Sequence, residues 1–291
     1  SLAGAAVVGA TVCAIVTRAA WGPGSNREWP CAISGADGGY RIADLLAGRY
    51  AMSATAARFR PAIWRGEDRR GSFALAAGET RSGVDLVLNS GGVELRGRVG
   101  DISGGVVAGA RVAVVSSALG SSGATAVARS DDEGGFVAWV APGEVSAEAE
   151  AEGYAPGSAS GVAPGLFIEI LLTPESVLVG RAVEAASGAP VAGARVGSEE
   201  RWAGIGAAEA ITDADGRFRI ERLGPGRYKP AAEAPGLWGV ARESVRLGLG
   251  ETSEEVLVLM HPARIVEGTL LDGEAPCAEG SVGLGDKQRW R

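Results

Sequence analysis

Apolar residues in this chain come in short bursts with small or polar residues interleaved, and glycine-rich turns separate the bursts. Segments such as 50–56 and 217–220 alternate with period two, the spacing of a strand with one buried face. No long stretch carries the spacing of an amphipathic helix. Opening strands are predicted at 93–99, 177–183 and 265–271, with Gly97, Gly180 and Gly268 at equivalent places. Closing strands are predicted at 84–88, 167–172 and 256–260. The joints between them, 89–92, 173–176 and 261–264, are brief, so one unit runs almost directly into the next.

The bursts are repeats of one another. Val8-Gly9-Ala10-Thr11-Val12, Val107-Ala108-Gly109-Ala110-Arg111-Val112 and Val191-Ala192-Gly193-Ala194-Arg195-Val196 are one phrase, and Pro276 to Val282 is a worn fourth copy. Their terminal valines lie 100, 84 and 86 residues apart. A second phrase follows each time, at Asp37-Gly38-Gly39-Tyr40, Glu133-Gly134-Gly135-Phe136 and Asp215-Gly216-Arg217-Phe218. Such Asp-Gly pairs between alternating segments signal tight hairpins, because glycine tolerates positive φ. A third phrase comes as Gly48-Arg49-Tyr50, Gly143-Glu144-Val145 and Gly226-Arg227-Tyr228. Units of about 85 residues with six or seven short strands predict an all-β chain of β-sandwiches. The divisions fall at 1–90, 91–174 and 175–262, with 263–291 the start of a fourth unit. The first unit contains no phrase for an opening strand. The chain is expected to be a piece of a longer protein.

Composition narrows the partners. The chain has 291 residues and a net charge of −7, which argues against a nucleic-acid partner, since that needs a concentrated basic face. Glycine (46) and proline (13) are abundant but fall at turns, so disorder is not expected. The apolar opening, Ser1 to Val16, has no basic segment before it and is too short for a membrane span of ~20 residues. It falls in register with the later repeats and reads as strand. Cys13 follows Val12, where a lipid-attachment site would want Gly or Ala.

The ordered phrases at 189–196, 212–218, 223–228 and 233–236 resemble the carboxypeptidase regulatory-like domain, and the first and second repeats resemble it with one or two phrases altered. The resemblance implies tandem seven-stranded Greek-key sandwiches of the transthyretin-like (prealbumin-like) type, which accompany metallocarboxypeptidase catalytic domains without being catalytic. It further implies an exported, extracellular or cell-surface bacterial protein with additional domains. The related collagen-adhesin B-type domain carries a Lys–Asn crosslink, which Lys229 and Lys287 do not support.

Candidate chemistry is sparse. Asp213 and Asp215, with Asp131, Asp132 and Glu133 in the equivalent place, could open a calcium loop, but the further oxygens are missing and turn formation accounts for every copy. The lone His261, in a joint, has no partners for a zinc site or a nucleophile. Glu148, Glu150 and Glu152 alternate along one strand face and read as a solvated surface. No catalytic residue, metal or cofactor is therefore expected. Trp21, Trp29 and Trp202, in loops, are the candidate ligand-binding residues, for a cell-surface or extracellular polysaccharide or protein. Their alternative is packing within a sandwich or a joint. Trp64 follows the Gly-Arg-Tyr strand. Cys13 and Cys31 sit on strands that the repeat makes neighbours and are a candidate disulfide, with two separate small core residues as the alternative. Two functions follow: a non-catalytic structural or adhesive spacer, or a carbohydrate-binding module acting through loop tryptophans.

Overall fold

The computed structural model describes residues 4–19, 29–66, 71–116, 125–165, 167–198, 208–264, 267–272 and 275–276. Among these residues there is no helix, and the strands enclose three separate hydrophobic cores. The cores draw on 10–88, 95–172 and 178–260, and consist mainly of Val, Leu, Ile and Ala.

The middle sandwich shows the plan. One sheet runs in the order Gly135–Val140, Val93–Asp101, Ile168–Pro174, Tyr154–Ala155. The other runs Thr125–Arg129, Arg111–Ser116, Gly143–Glu150, Gly157–Ala163. Pro156 has no N–H to give to a ladder, and there the chain leaves one sheet for the other. Counted as one broken strand, Tyr154–Ala155 and Gly157–Ala163 make the sandwich seven-stranded. The opening strand Val93–Asp101 is central: it pairs antiparallel with Gly135–Val140 and parallel with Ile168–Pro174.

The third sandwich repeats this with Ser176–Glu184 between Arg217–Leu223 and Val256–Pro262. Here Leu237–Val240 pairs on both sides, with Pro230–Ala234 and with Val256–Pro262, which joins the two sheets into one of seven strands. His261 therefore lies within a strand, opposite Trp238, and not in a free linker.

The first sandwich has one full sheet. Cys31–Ile33, Thr11–Ala19, Gly48–Thr55 and Ala62–Ile63 follow in order, with Ser72–Leu75 also on Gly48–Thr55. The closing strand predicted at 84–88 does not form. In the other two sandwiches that strand hydrogen-bonds the opening strand, and no described strand of the first takes that place. Tyr40, Ile42, Val84, Leu86 and Leu88 still pack on the core. The Tyr40 hydroxyl donates to the Val84 carbonyl at 2.5 Å, and burial, then the charge of Asp85, pushes the phenol up to about 12.

A buried hydroxyl stitches the same corner in all three. Ser34 Oγ accepts from the Ala10 N–H at 2.9 Å and donates to the Val7 carbonyl at 2.6 Å. Ser130 does so with Ala110 and Val107, at 2.8 and 2.7 Å. Thr212 does so with Ala194 and Val191, at 2.8 and 2.7 Å. Backbone bonds flank each stitch, such as Gly193 N–H to the Thr212 carbonyl and Thr212 N–H to the Ala194 carbonyl. The acidic turn comes next, and its carboxylate is already occupied. Asp213 Oδ1 accepts the Asp215 and Arg217 N–H groups at 2.9 and 2.8 Å, and Asp131 Oδ1 accepts those of Glu133 and Gly135 at 3.1 and 2.7 Å. These are Asx-type turns closing on Gly216 (φ 74°) and Gly134 (φ 77°). No group of three or more His, Cys, Asp or Glu side chains suited to a metal occurs among the described residues.

Thr212→Val keeps the shape of the side chain and removes both hydrogen bonds, leaving the buried Ala194 N–H and Val191 carbonyl unpaired. It is expected to destabilise the third sandwich by about 2 kcal/mol, read as a lowered urea midpoint and faster exchange of the Ala194 amide. Thr212→Ser is expected to keep most of that stability.

Candidate functional site: the joints between sandwiches

Each sandwich touches the next through polar side chains rather than through a shared apolar core. At the first joint the Gly91 and Gly92 N–H groups donate to the Arg58 carbonyl at 3.1 and 3.0 Å. An added Cβ at Gly92 would lie 2.0 Å from the Phe59 carbonyl oxygen, so only glycine permits this approach. Ser53, buried, donates from Oγ to the Thr125 carbonyl of the second sandwich at 2.5 Å. Trp29 lies under the Arg111 guanidinium, 4.2 Å from its ring centroid. Of the three candidate tryptophans, Trp29 thus packs at a joint, while Trp21 and Trp202 lie outside the described residues. Trp64 is buried, edge-on to Phe73 at 5.4 Å.

The second joint has Glu175 as the single residue between the strands Ile168–Pro174 and Ser176–Glu184. Its N–H donates to the Gly153 carbonyl, and its Oε2 accepts the Arg222 N–H at 2.9 Å. The clasp is Glu150. Its Oε2 accepts from Arg111 Nη2 on one side and from Arg222 Nη2 of the third sandwich on the other, both at 2.5 Å. All three side chains are largely out of water, at 12% exposed for Arg111, 16% for Glu150 and 27% for Arg222. Contacts therefore run without a break from Trp29 through Arg111 and Glu150 to Arg222, across both joints.

Arg222 reaches Glu150 because of a β-bulge. The register of Arg217–Leu223 against Ser176–Glu184 shifts between Ser176 and Leu178, and Arg222 has φ 63°. Gly143 lies seven residues beyond Phe136, whereas Gly226 lies eight beyond Phe218. The extra residue turns a side chain out of the sheet and toward its neighbour, a common use of a bulge. The inserted residue is visible in the sequence as the longer spacing of the third repeat.

The reading of Glu148 and Glu150 as a solvated face is corrected here, since both lie at the joint. Burial raises the Glu150 carboxyl, but Arg111 and Arg222 outweigh it and hold the group below its ordinary value. Glu148 moves the other way: burial, then the charge of Glu150, raises it, and the two arginines offset part of this. The stabilisation from Glu150 is thus present above the ordinary glutamate pKa and is lost as pH falls through its lowered value. Glu148 protonates earlier on acidification, which favours the folded joint.

Cys13 and Cys31 face each other across the ladder of Thr11–Ala19 and Cys31–Ile33, with their sulfurs 2.04 Å apart.

Glu150→Gln is expected to weaken the second joint by about 2 kcal/mol, the scale of a hydrogen bond to a charged group. Small-angle scattering across pH checks it: the parent chain loosens only once the pH falls below the ordinary glutamate range, and the variant is already loose at neutral pH with little further change.

A family model for the carboxypeptidase regulatory-like domain matches the chain twice, at residues 94–166 and 177–260. No curated protein matches it. Among solved structures, the chain is similar to a streptococcal ancillary pilin, with 15% identity, 81% of each chain covered and a TM-score of 0.31. It is also similar to GBS52, the minor pilin of the Gram-positive pathogen Streptococcus agalactiae, at 14% identity over 62% of this chain and 100% of that one, with a TM-score of 0.28. The shaft pilin SpaA from Lactobacillus rhamnosus GG matches at 10% identity over 60% of this chain and 100% of that one, with a TM-score of 0.25. The two family matches span more than half of the sequence and fall in phase with its repeats, and the chain belongs to the carboxypeptidase regulatory-like domain family.

Proposed function

We propose that the chain is a non-catalytic structural or adhesive region of an exported, cell-surface protein, and that it acts as a spacer. Residues 1–90, 91–174 and 175–262 are then three consecutive units, with 263–291 beginning a fourth. The observation that carries this reading is the clasp at the joints: Trp29, Arg111, Glu150 and Arg222 in continuous contact, with Glu175 alone between strands at the second joint. Units tied by directional contacts and so short a connection resist folding back on one another. A flexible linker leaves that freedom open.

An oxidising compartment fits the same reading. A Cys13–Cys31 bond would close the segment between two paired strands, in a protein that meets no reducing cytosol. No described helix is long and apolar enough to cross a membrane. Partners are other domains of the same polypeptide and surface proteins or polysaccharides.

Small-angle scattering tests the spacer. Three sandwiches of about 35 Å in line give a longest dimension near ~100 Å. A radius of gyration of ~19 Å, that of one compact globule of this length, would refute it. For the cysteines, mass spectrometry of the unreduced protein is expected to show the two linked. Cys13→Ser is expected to cost the first sandwich ~3 kcal/mol in the chain-entropy model for a loop of 18 residues.

A further inference from the structure

The second sandwich turns a joint-facing Arg–Glu pair, Arg111 and Glu150, toward its neighbours. The third carries the same pair in the same register, Arg195 opposite Glu233, but on an open face. Around it the side chains differ from those of the second sandwich. Where Ala113 faces Glu148 and Val127, the third has Gly197 facing Ala231 and Glu209. Where Ala155 is buried opposite Thr173, the third has Trp238 opposite His261, 51% exposed.

These exchanges make a cleft of about 300 Å³. Gly197 and Ala231 leave its floor almost bare, and the Trp238 indole stands beside it next to Glu233. Among the described residues, two polar atoms at the cleft, Glu209 Oε2 and Ser198 Oγ, are buried without a hydrogen-bond partner. Unpaired buried polar atoms are costly, and a bound donor relieves the cost.

We propose that this cleft binds a neutral hexopyranose unit of a polysaccharide. The C–H face of a pyranose stacks on the indole, as apolar surface does on an aromatic ring. Its hydroxyls donate to Glu209 Oε2 and exchange hydrogen bonds with Ser198 Oγ, and one hydroxyl array serves both. Arg195, Glu209 and Glu233 together carry a net negative charge, which disfavours uronic acids and sulfated sugars. The volume lies at the small end of the range for ligand sites, about 300–1,000 Å³, which suits a single sugar unit of a longer chain. The stacking residue proposed is Trp238 rather than a loop tryptophan, and the proposal is independent of the spacer reading, since scattering tests the spacer without any ligand.

The test is isothermal titration of the 291-residue chain with cellohexaose, maltohexaose and chitohexaose, and with an alginate hexamer as the anionic control. At least one neutral hexamer is expected to bind and to shift tryptophan fluorescence, and the alginate is not. Trp238→Ala is expected to weaken binding about tenfold or more, the scale of a lost stacking contact. Gly197→Val, which fills the floor, is expected to do the same. An added Cβ there lies 3.4 Å from Glu209 Cγ, an ordinary contact, so the strand tolerates it. Both variants should keep the parent's circular dichroism and melting temperature. Absence of binding by all three neutral hexamers would overturn the proposal. So would binding that survives both variants, or that is lost in Trp21→Ala or Trp202→Ala while Trp238→Ala retains it.

Discussion

A phenylalanine ring lies over a bare glycine at the centre of the second and third sandwiches. At Gly97 an added Cβ would stand 2.3 Å from Phe136 Cζ and 2.4 Å from the Ile168 carbonyl oxygen. At Gly180 the distances to Phe218 Cζ and the Val256 carbonyl are the same, 2.3 and 2.4 Å. One neighbour is the hairpin strand that follows the acidic turn, and the other is the parallel closing strand, so the glycine fixes three strands against one another. Both phenylalanines are buried by this arrangement. In the first sandwich Tyr40 stands in the phenylalanine position, and among the described residues neither its own segment nor 84–88 enters a ladder.

The joints depend on a different economy. Each core is closed within its own sandwich, so little apolar surface remains to hold one unit to the next. What remains is charge and hydrogen bonding. A lone exposed ion pair contributes little, but Glu150 is shared between two arginines and largely dry. Drying strengthens the attraction and also raises the cost of leaving any member unpaired. Such a clasp favours one relative orientation over many more than it adds raw stability. The positive φ of Arg222 fits this picture, since strained backbone persists where surrounding contacts over-determine it.

The fold was legible because the repeated phrases are its corners. The Val-Ala-Gly-Ala-x-Val phrase and the residue before the acidic turn are the two halves of the hydroxyl stitch, and Asp-x-Asp-Gly is the turn itself. The roles of Ser34, Ser130 and Thr212 were hidden because a Ser or Thr just ahead of a glycine- and aspartate-rich turn looks like a turn residue. The segment 84–88 has the apolar pattern of a strand, yet among the described residues it packs on the core without entering a ladder. Glu148 and Glu150 were misread for a related reason. Alternation identifies the outward face of a sheet but says nothing of what that face meets. Trp238 escaped notice because it lies in a strand, where an aromatic residue needs no explanation.

The contrast between the second and third sandwiches bears on where new properties arise in such a chain. Their inward residues are close substitutes, with Val112 and Val196, Phe136 and Phe218, and Leu172 and Met260 buried in matching places. Their outward Arg–Glu pairs are the same as well. What differs is the ring of residues around that pair. Glu148 beside Ala113, with Val127 next to them, makes a face that receives Trp29 and Arg222; Ala231 beside Gly197, with Glu209 and Trp238, makes a cleft instead. A core at close packing feels changes of even one methylene, whereas an outward strand position accepts glycine, glutamate or tryptophan at little cost to the fold. A string of identical sandwiches can therefore give each unit a separate role by changing a few outward residues.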